Sequence, residues 1–314
     1  MSRPRLVIGG ASGFLGRRLV TAGIAAGYDV TVLRRGDAAT RVSEKHVNYA
    51  AWDPSIGMLD PQVLAGAYGV VSLNGASLFG SLWTKNYKQR MWDSRINSTR
   101  TLVNSIGRLA PEDRPQVYLG SSAIGYYGPD TAGEIATEES APGEGFLADL
   151  CQAWEAQALV ASDYGVRTVL LRTGLVMGDD GGMLGILQHP YRIGLGVQIG
   201  DGSAWMSTIS SVDHVRGMLF ALRTPEVSGP INLVSPHPIQ QAHWHRQLAR
   251  HLKRPDIGRV PAWAVRVALG QMGKEAALAS QRCYPQALLD AGFRFTAPTS
   301  VDIFNQVLAQ APLE

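Results

Sequence analysis

The chain opens on a short apolar run, Leu6–Ile8, followed at once by a helical pattern beginning near Arg17. The same texture repeats through the first half. Asp29–Arg34, Val47–Trp52, Gly69–Asn74, Val117–Ser122 and Val166–Thr173 are β-rich runs bounded by turn residues. Between them Asn86–Ile106 places Tyr87, Met91, Ile96, Leu102, Val103 and Ile106 on or near one face, which predicts a long helix, and Leu147–Ser162 predicts another. Strands alternating with helices predict an α/β fold built on a parallel sheet covered on both faces. Because such connections are right-handed, the elements wind into a doubly wound sheet of the Rossmann type.

The texture changes after about residue 177. Met177–Ser203 is crowded with glycine and reads as loops around a short helix, as suits a substrate-side excursion. Val212–Leu222 reads as helix and Pro230–Val234 as a strand. The tail reads as two or three helices broken by Pro255, Pro261 and Pro285. The expected division is a dinucleotide-binding domain over 1–176, taking in about 205–234, with 177–204 and 235–314 forming a small C-terminal α/β substrate lobe.

Composition narrows the class. At 314 residues, 45% apolar and 18% charged, the chain has ample material for a large core. A net charge of +3 does not call for a nucleic-acid partner, and no apolar run is long enough to span a membrane, so no membrane partner is expected. Two cysteines, Cys151 and Cys283, make no disulfide framework, and a strand begins too early for a leader peptide. A cytoplasmic monomer or homodimer is the expectation.

The candidate chemistry begins in the first turn. Gly10, Gly13 and Gly16 stand between the first strand and the first helix, where glycine lets backbone approach a pyrophosphate held on the helix N-terminus. The expected cofactor contacts are Gly10, Ser12, Gly13, Phe14, Leu15 and Gly16, with Asp53, Asn74, Gly75, Arg95, Ser121 and Tyr127 from later strand ends and the long helix. At the end of the second strand an acid would select NAD by binding the ribose hydroxyls. Here Arg34 and Arg35 stand instead, the nearest acid being Asp37, and two guanidiniums suit a 2′-phosphate. The expected cofactor is NADP(H). No metal site is expected: His237, His243, His245 and His251 lack ligand spacing.

Further segments carry a resemblance. Gly9–Gly16, Leu73–Ala76, Trp83 through Asp93–Ile96, Ser121–Gly128, Trp154–Glu155, Leu171–Val176, Trp205–Ile209 with Asp213, Val260–Trp263 and Ala291–Phe295 together resemble the extended short-chain dehydrogenase/reductase superfamily. More narrowly, the chain resembles its atypical epimerase-family branch, whose members end in a small C-terminal domain of unassigned function. The superfamily implies a Ser or Thr after the fifth strand, and a Tyr with a Lys four residues later. This chain departs from that pattern. Leu147 and Cys151 stand where the Tyr and Lys would be, and Ala123 where the Ser or Thr would be, with Ser122 one residue earlier. Tyr126, Ser122 and Arg95 are the substitute acid–base candidates.

The expected function is an NADP(H)-dependent oxidoreductase or epimerase acting on an unidentified small-molecule substrate. The alternative is a catalytically silent NADP(H)-binding or redox-sensing protein.

Overall fold

The computed structural model describes residues 3–36 and 45–308. In chain order the first half runs β1 (Arg5–Gly9), α1 (Phe14–Ala25), β2 (Asp29–Arg34), β3 (Val47–Asp53), β4 (Met58–Leu59), β5 (Gly69–Ser72), α2 (Lys85–Gly107), β6 (Val117–Ala123), α3 (Phe146–Asp163) and β7 (Arg167–Thr173). The second half runs β8 (Leu175–Met177), α4 (Gly182–Arg192), β9 (Val197–Ile199), β10 (Trp205–Met206), β11 (Thr208–Ser210), α5 (Ser211–Arg223), β12 (Gly229–Leu233), β13 (Ile239–Gln240), α6 (Gln241–His251), β14 (Gly258–Val260), α7 (Ala262–Met272), α8 (Gln286–Asp290) and α9 (Ser300–Leu308). The tail is therefore more helical than two or three segments; Pro261 and Pro285 sit at N-caps, where proline starts helices rather than ending them.

One eight-stranded sheet has the order β12-β7-β6-β5-β1-β2-β3-β4. β1 pairs in parallel with β2 and β5, β2 with β3, and β5 with β6; β4 folds back antiparallel on β3. This is the α/β doubly wound, Rossmann-like arrangement. The strand order reverses between β1 and β5, and a crevice opens beyond the carboxyl ends of strands at such a point.

By contacts the chain divides into two compact units. One comprises residues 1–122, 152–171 and 218–230, and the other 123–151, 172–217 and 231–314. The first is built around Val7, Leu33, Trp52, Leu64, Val70, Leu102, Ile106 and Tyr118, all buried. Within it, α1 lies close on the sheet because Gly23 faces Leu6 and Val30 with no side chain of its own. The predicted face of α2 is buried from Met91 to Ile106, while Tyr87, at the solvent-exposed end, bonds the Ser77 carbonyl instead. The second unit packs Met177, Leu184, Tyr191, Met206, Trp244, Leu248 and Phe304 into a core of its own.

Asp213 shows how the second unit is tied together. Its buried carboxylate accepts from the Thr296 amide and hydroxyl and the Ala297 amide, and it pairs with Arg216, fastening the start of α5 to the segment before α9.

Candidate functional site

The turn after β1 is shaped by what cannot carry a side chain. Gly10 has φ +82°, and a Cβ there would stand 2.7 Å from the Leu73 carbonyl group. At Gly16 a Cβ would stand 2.2 Å from the Gly10 carbonyl oxygen. α1 begins at Phe14, three residues earlier than the polar pattern from Arg17 suggests, with Gly13 as its N-cap and no side-chain cap. Phe14, Leu15 and Gly16 are thus the first turn, and their N–H groups have no carbonyl four residues earlier within the helix. No acid lies in that turn. The result is a set of backbone donors at the positive end of a helix dipole, suited to an anion.

A cavity of about 1530 Å³ opens over this turn, entirely within the first unit. Gly10, Ser12 and Gly13 form one wall, Asn74 and Gly75 follow β5, and Arg34 and Arg35 stand at the end of β2. The opposing wall is the polar face of α2, with Asn86, Arg90, Asp93 and Asn97 at helical spacing. The Arg34 guanidinium lies 5.9 Å from the centre of the Tyr49 ring, which helps fix it. Asp37 lies outside the described residues.

Arg95, Asp53, Ser121 and Ser122 also fall in the first unit. Arg95 bonds the Met91 carbonyl and lies over the Trp154 ring, close against Gly75. Asp53 turns to the Ser55 hydroxyl and amide, which hold its exposed carboxyl below the usual range. Ser121 donates to the Ser72 carbonyl at 2.6 Å. Ser122 is buried and donates to Glu155 at 2.6 Å, so its hydroxyl already serves a carboxylate.

Tyr126 and Tyr127 belong to the second unit. Tyr127 is buried; its hydroxyl donates to Asn232 Oδ1 at 2.8 Å and accepts from Arg172 at 3.0 Å. Burial pushes its phenol well above the ordinary value, against the pull of Arg172. Tyr126 packs edge-on against Tyr127, with the Arg172 guanidinium 3.5 Å from its ring centre. Arg172 also reaches the Glu138 backbone carbonyl, while the Glu138 carboxylate accepts from the Asn232 amide and is raised by burial. Cys283 joins this cluster, its thiol pushed up to about 12 by burial.

Leu147 and Cys151 do not present an acid. Both pack against the turn at Gly125, where an added Cβ would stand 3.2 Å from the Leu147 Cβ and 3.7 Å from the Cys151 sulfur. Glu275 caps the first turn of α3 through the Leu147 amide. In the same unit Trp205 is covered by Arg282, 4.3 Å from its ring centre, and buried His245 bonds the Tyr191 hydroxyl at 2.6 Å. Among the described residues no group of His, Cys, Asp and Glu could hold a metal ion.

Two parts of this arrangement are not singled out by sequence reasoning. Arg172 had a visible signal, an arginine inside an otherwise apolar strand, which must find partners when buried. The polar face of α2 was visible as the complement of its apolar face.

The NAD dependent epimerase/dehydratase family model matches residues 6–234, and a domain of unknown function, DUF1731, matches residues 260–305. An epimerase family protein of Mycobacterium tuberculosis is 37% identical over 295 residues, covering 94% of each chain. The epimerase family protein YfhF of Bacillus subtilis is 30% identical, covering 96% of each. The crystal structure of human epimerase family protein SDR39U1 with NADPH superposes with a TM-score of 0.87, covering 98% of this chain and all of that one at 24% identity.

Proposed function

This chain belongs to the NAD dependent epimerase/dehydratase family as an atypical extended short-chain dehydrogenase/reductase, and from that premise we propose that it is an NADP(H)-dependent oxidoreductase or epimerase. The observation that carries the cofactor assignment is the pair Arg34 and Arg35 on the cavity wall at the end of β2. A carboxylate at that place would repel a 2′-phosphate; a guanidinium binds it through paired N–H groups. The relative crystallised with NADPH supports the same reading.

The residues fit the cofactor. Gly10 and Gly16 leave a cradle that a Cβ would fill. The N–H groups of Phe14, Leu15 and Gly16 would meet the pyrophosphate and Arg34 and Arg35 the 2′-phosphate, and Asn74 and Gly75 line the cavity beyond β5. When bound, the nicotinamide supplies hydride exchange with a small polar substrate. Protons in this reading are handled by Tyr126, whose ring face Arg172 covers, or by water held near Ser122 and Arg95, one bonded to Glu155 and the other over Trp154 beside Gly75.

Arg34→Asp tests the assignment. NADPH affinity is expected to fall by ten- to a hundredfold, the range of one strong charge-assisted contact, with NADH affinity nearly unchanged. Equal losses for both, measured by calorimetry, would sink the phosphate clamp.

A second reading draws on the packing of Leu147 and Cys151 and the engaged hydroxyl of Tyr127. In it the protein holds NADP(H) without turning it over and reports redox state. Bound NADPH whose nicotinamide absorbance never changes across a panel of carbonyl and nucleotide-sugar compounds would favour it.

A further inference from the structure

The second unit carries an exposed apolar and basic face that the dinucleotide cavity does not use. Ile193, Leu195, Ile257, Trp263 and Val267 are each 60–84% exposed. Singly scattered apolar side chains are ordinary on a protein surface. These five come from two adjoining segments. β9 and β14 pair in parallel with Gly258 opposite Val197, so Leu195 and Ile257 lie at the same end of that ribbon. α7 follows β14 after Pro261, and places Trp263 and Val267 one turn apart on its outer face.

α7 already has an inner stripe. Val265 is buried against the unit, as is Met272 beyond the break in the helix at Gly270 (φ +56°). A helix on a folded surface needs one apolar stripe; the second, outward one contributes nothing to this unit's core. The segment that leads into and through α7 is also rich in charge of one sign. Arg250, Lys253, Arg254, Arg259 and Arg266 are exposed, against a single acid, Asp256, between residues 250 and 267. The chain-wide balance of +3 conceals this local concentration.

We propose that this face docks the second unit onto an anionic lipid surface, with Trp263, Val267 and Ile257 entering the headgroup boundary and the basic residues meeting lipid phosphates. The chemistry of both components points there. Tryptophan is suited to an interface that is apolar on one side and wet on the other, and Arg and Lys stems can lie along apolar surface while their heads reach phosphate. α7 spans eleven residues, so it lies on a membrane rather than crossing it, and no helix among the described residues is long and apolar enough to cross. A second copy of the chain fits less well, because a twofold interface would set five cations against the same five. Nucleic acid could stack a base on Trp263 but would make no use of Leu195, Ile257 or Val267. The inference is independent of the cofactor reading.

Co-sedimentation with vesicles tests it, using the full chain with phosphatidylcholine alone and with phosphatidylcholine–phosphatidylglycerol mixtures. Binding is expected to the anionic vesicles only, to weaken with salt, and to shift tryptophan emission to the blue. Trp263→Phe should remove most of that shift. Arg259→Gln and Arg266→Gln should each lower vesicle affinity about fivefold, and Val267→Glu should abolish binding. Unchanged dinucleotide affinity and thermal transition in these variants keep the result separate from misfolding. The proposal is overturned if anionic vesicles bring down no protein, if neutral vesicles bind equally, or if Val267→Glu has no effect. Concentration-dependent self-association that Val267→Glu removes would overturn it in favour of a second copy.

Discussion

The turn at Gly9–Gly16 and the cluster around Tyr127 and Arg172 are two polar constructions made in opposite ways. The turn is backbone. Its donors are consecutive amides, and its shape follows from places where a Cβ would strike Gly10 or Leu73 within a few residues or on the neighbouring strand. The cluster is side chain. Tyr127, Glu138, Arg172 and Asn232 come from four separate segments and meet only when the second unit is folded. A backbone site is written locally and tolerates change in neighbouring side chains. A side-chain cluster is written across the chain, and loses most when one charged member is removed.

The largest expected effect is therefore in the cluster. Arg172→Met removes a buried guanidinium that bonds Tyr127 and covers Tyr126, and should cost about 3 kcal/mol, the scale of breaking a buried charged network. Urea unfolding measures it. A loss under 1 kcal/mol would mean the cluster is held by apolar packing and the contrast with the turn is weaker than drawn.

Gly16→Ala should come next. Its Cβ would stand 2.2 Å from the Gly10 carbonyl oxygen, so the turn must shift, at a cost of about 1–3 kcal/mol. The loss of dinucleotide affinity should be far larger than for a substitution on the outer face of α1, because the donors themselves move. Calorimetry with NADPH would show it, and unchanged affinity would break the assignment of the pyrophosphate to this turn.

A graded effect, modest at any one step of pH, concerns His214. His214, fully buried in the second unit with Nε2 on the Thr173 hydroxyl, has its pKa lowered by burial to about 3. Its unfolded value lies near 6.5, so between these values the unfolded chain binds the extra proton. Stability should then fall as pH drops through the window from about 6.5 to 3, by up to about 1.4 kcal/mol per pH unit from this group. His214→Asn should flatten that slope in urea melts taken across the range. An unaltered slope would place the acid sensitivity elsewhere.

Much of the fold was legible because period and punctuation are local. β2 begins and ends where its apolar run does, and α2 and α3 differ from their sequence-read limits by a residue at either end. The start of α1 was not legible. Gly13–Gly16 looks like loop by composition, yet Phe14 to Gly16 form the helix's first turn, with Gly16 lying against the Gly10 carbonyl where no side chain fits. The C-terminal helices were under-counted, since prolines that cap helices resemble prolines that break them. At the site, Arg34 and Arg35 could be placed from strand length alone. The engagement of Ser122 by Glu155 could not, because the two lie thirty-three positions apart, one on β6 and the other on α3.

By itself the sequence determined the α/β alternation, the glycine turn and the arginines at the end of β2. These are properties of spacing and residue type, carried within a strand, a turn or a helical face. Only the tertiary structure decided that Tyr127 is spent on Asn232 and Arg172, that Leu147 and Cys151 are packing residues, and that α7 turns a second apolar stripe outward among cations. Each depends on which distant segments share a surface, and burial, pairing and exposure are settled by that contact rather than by sequence neighbours.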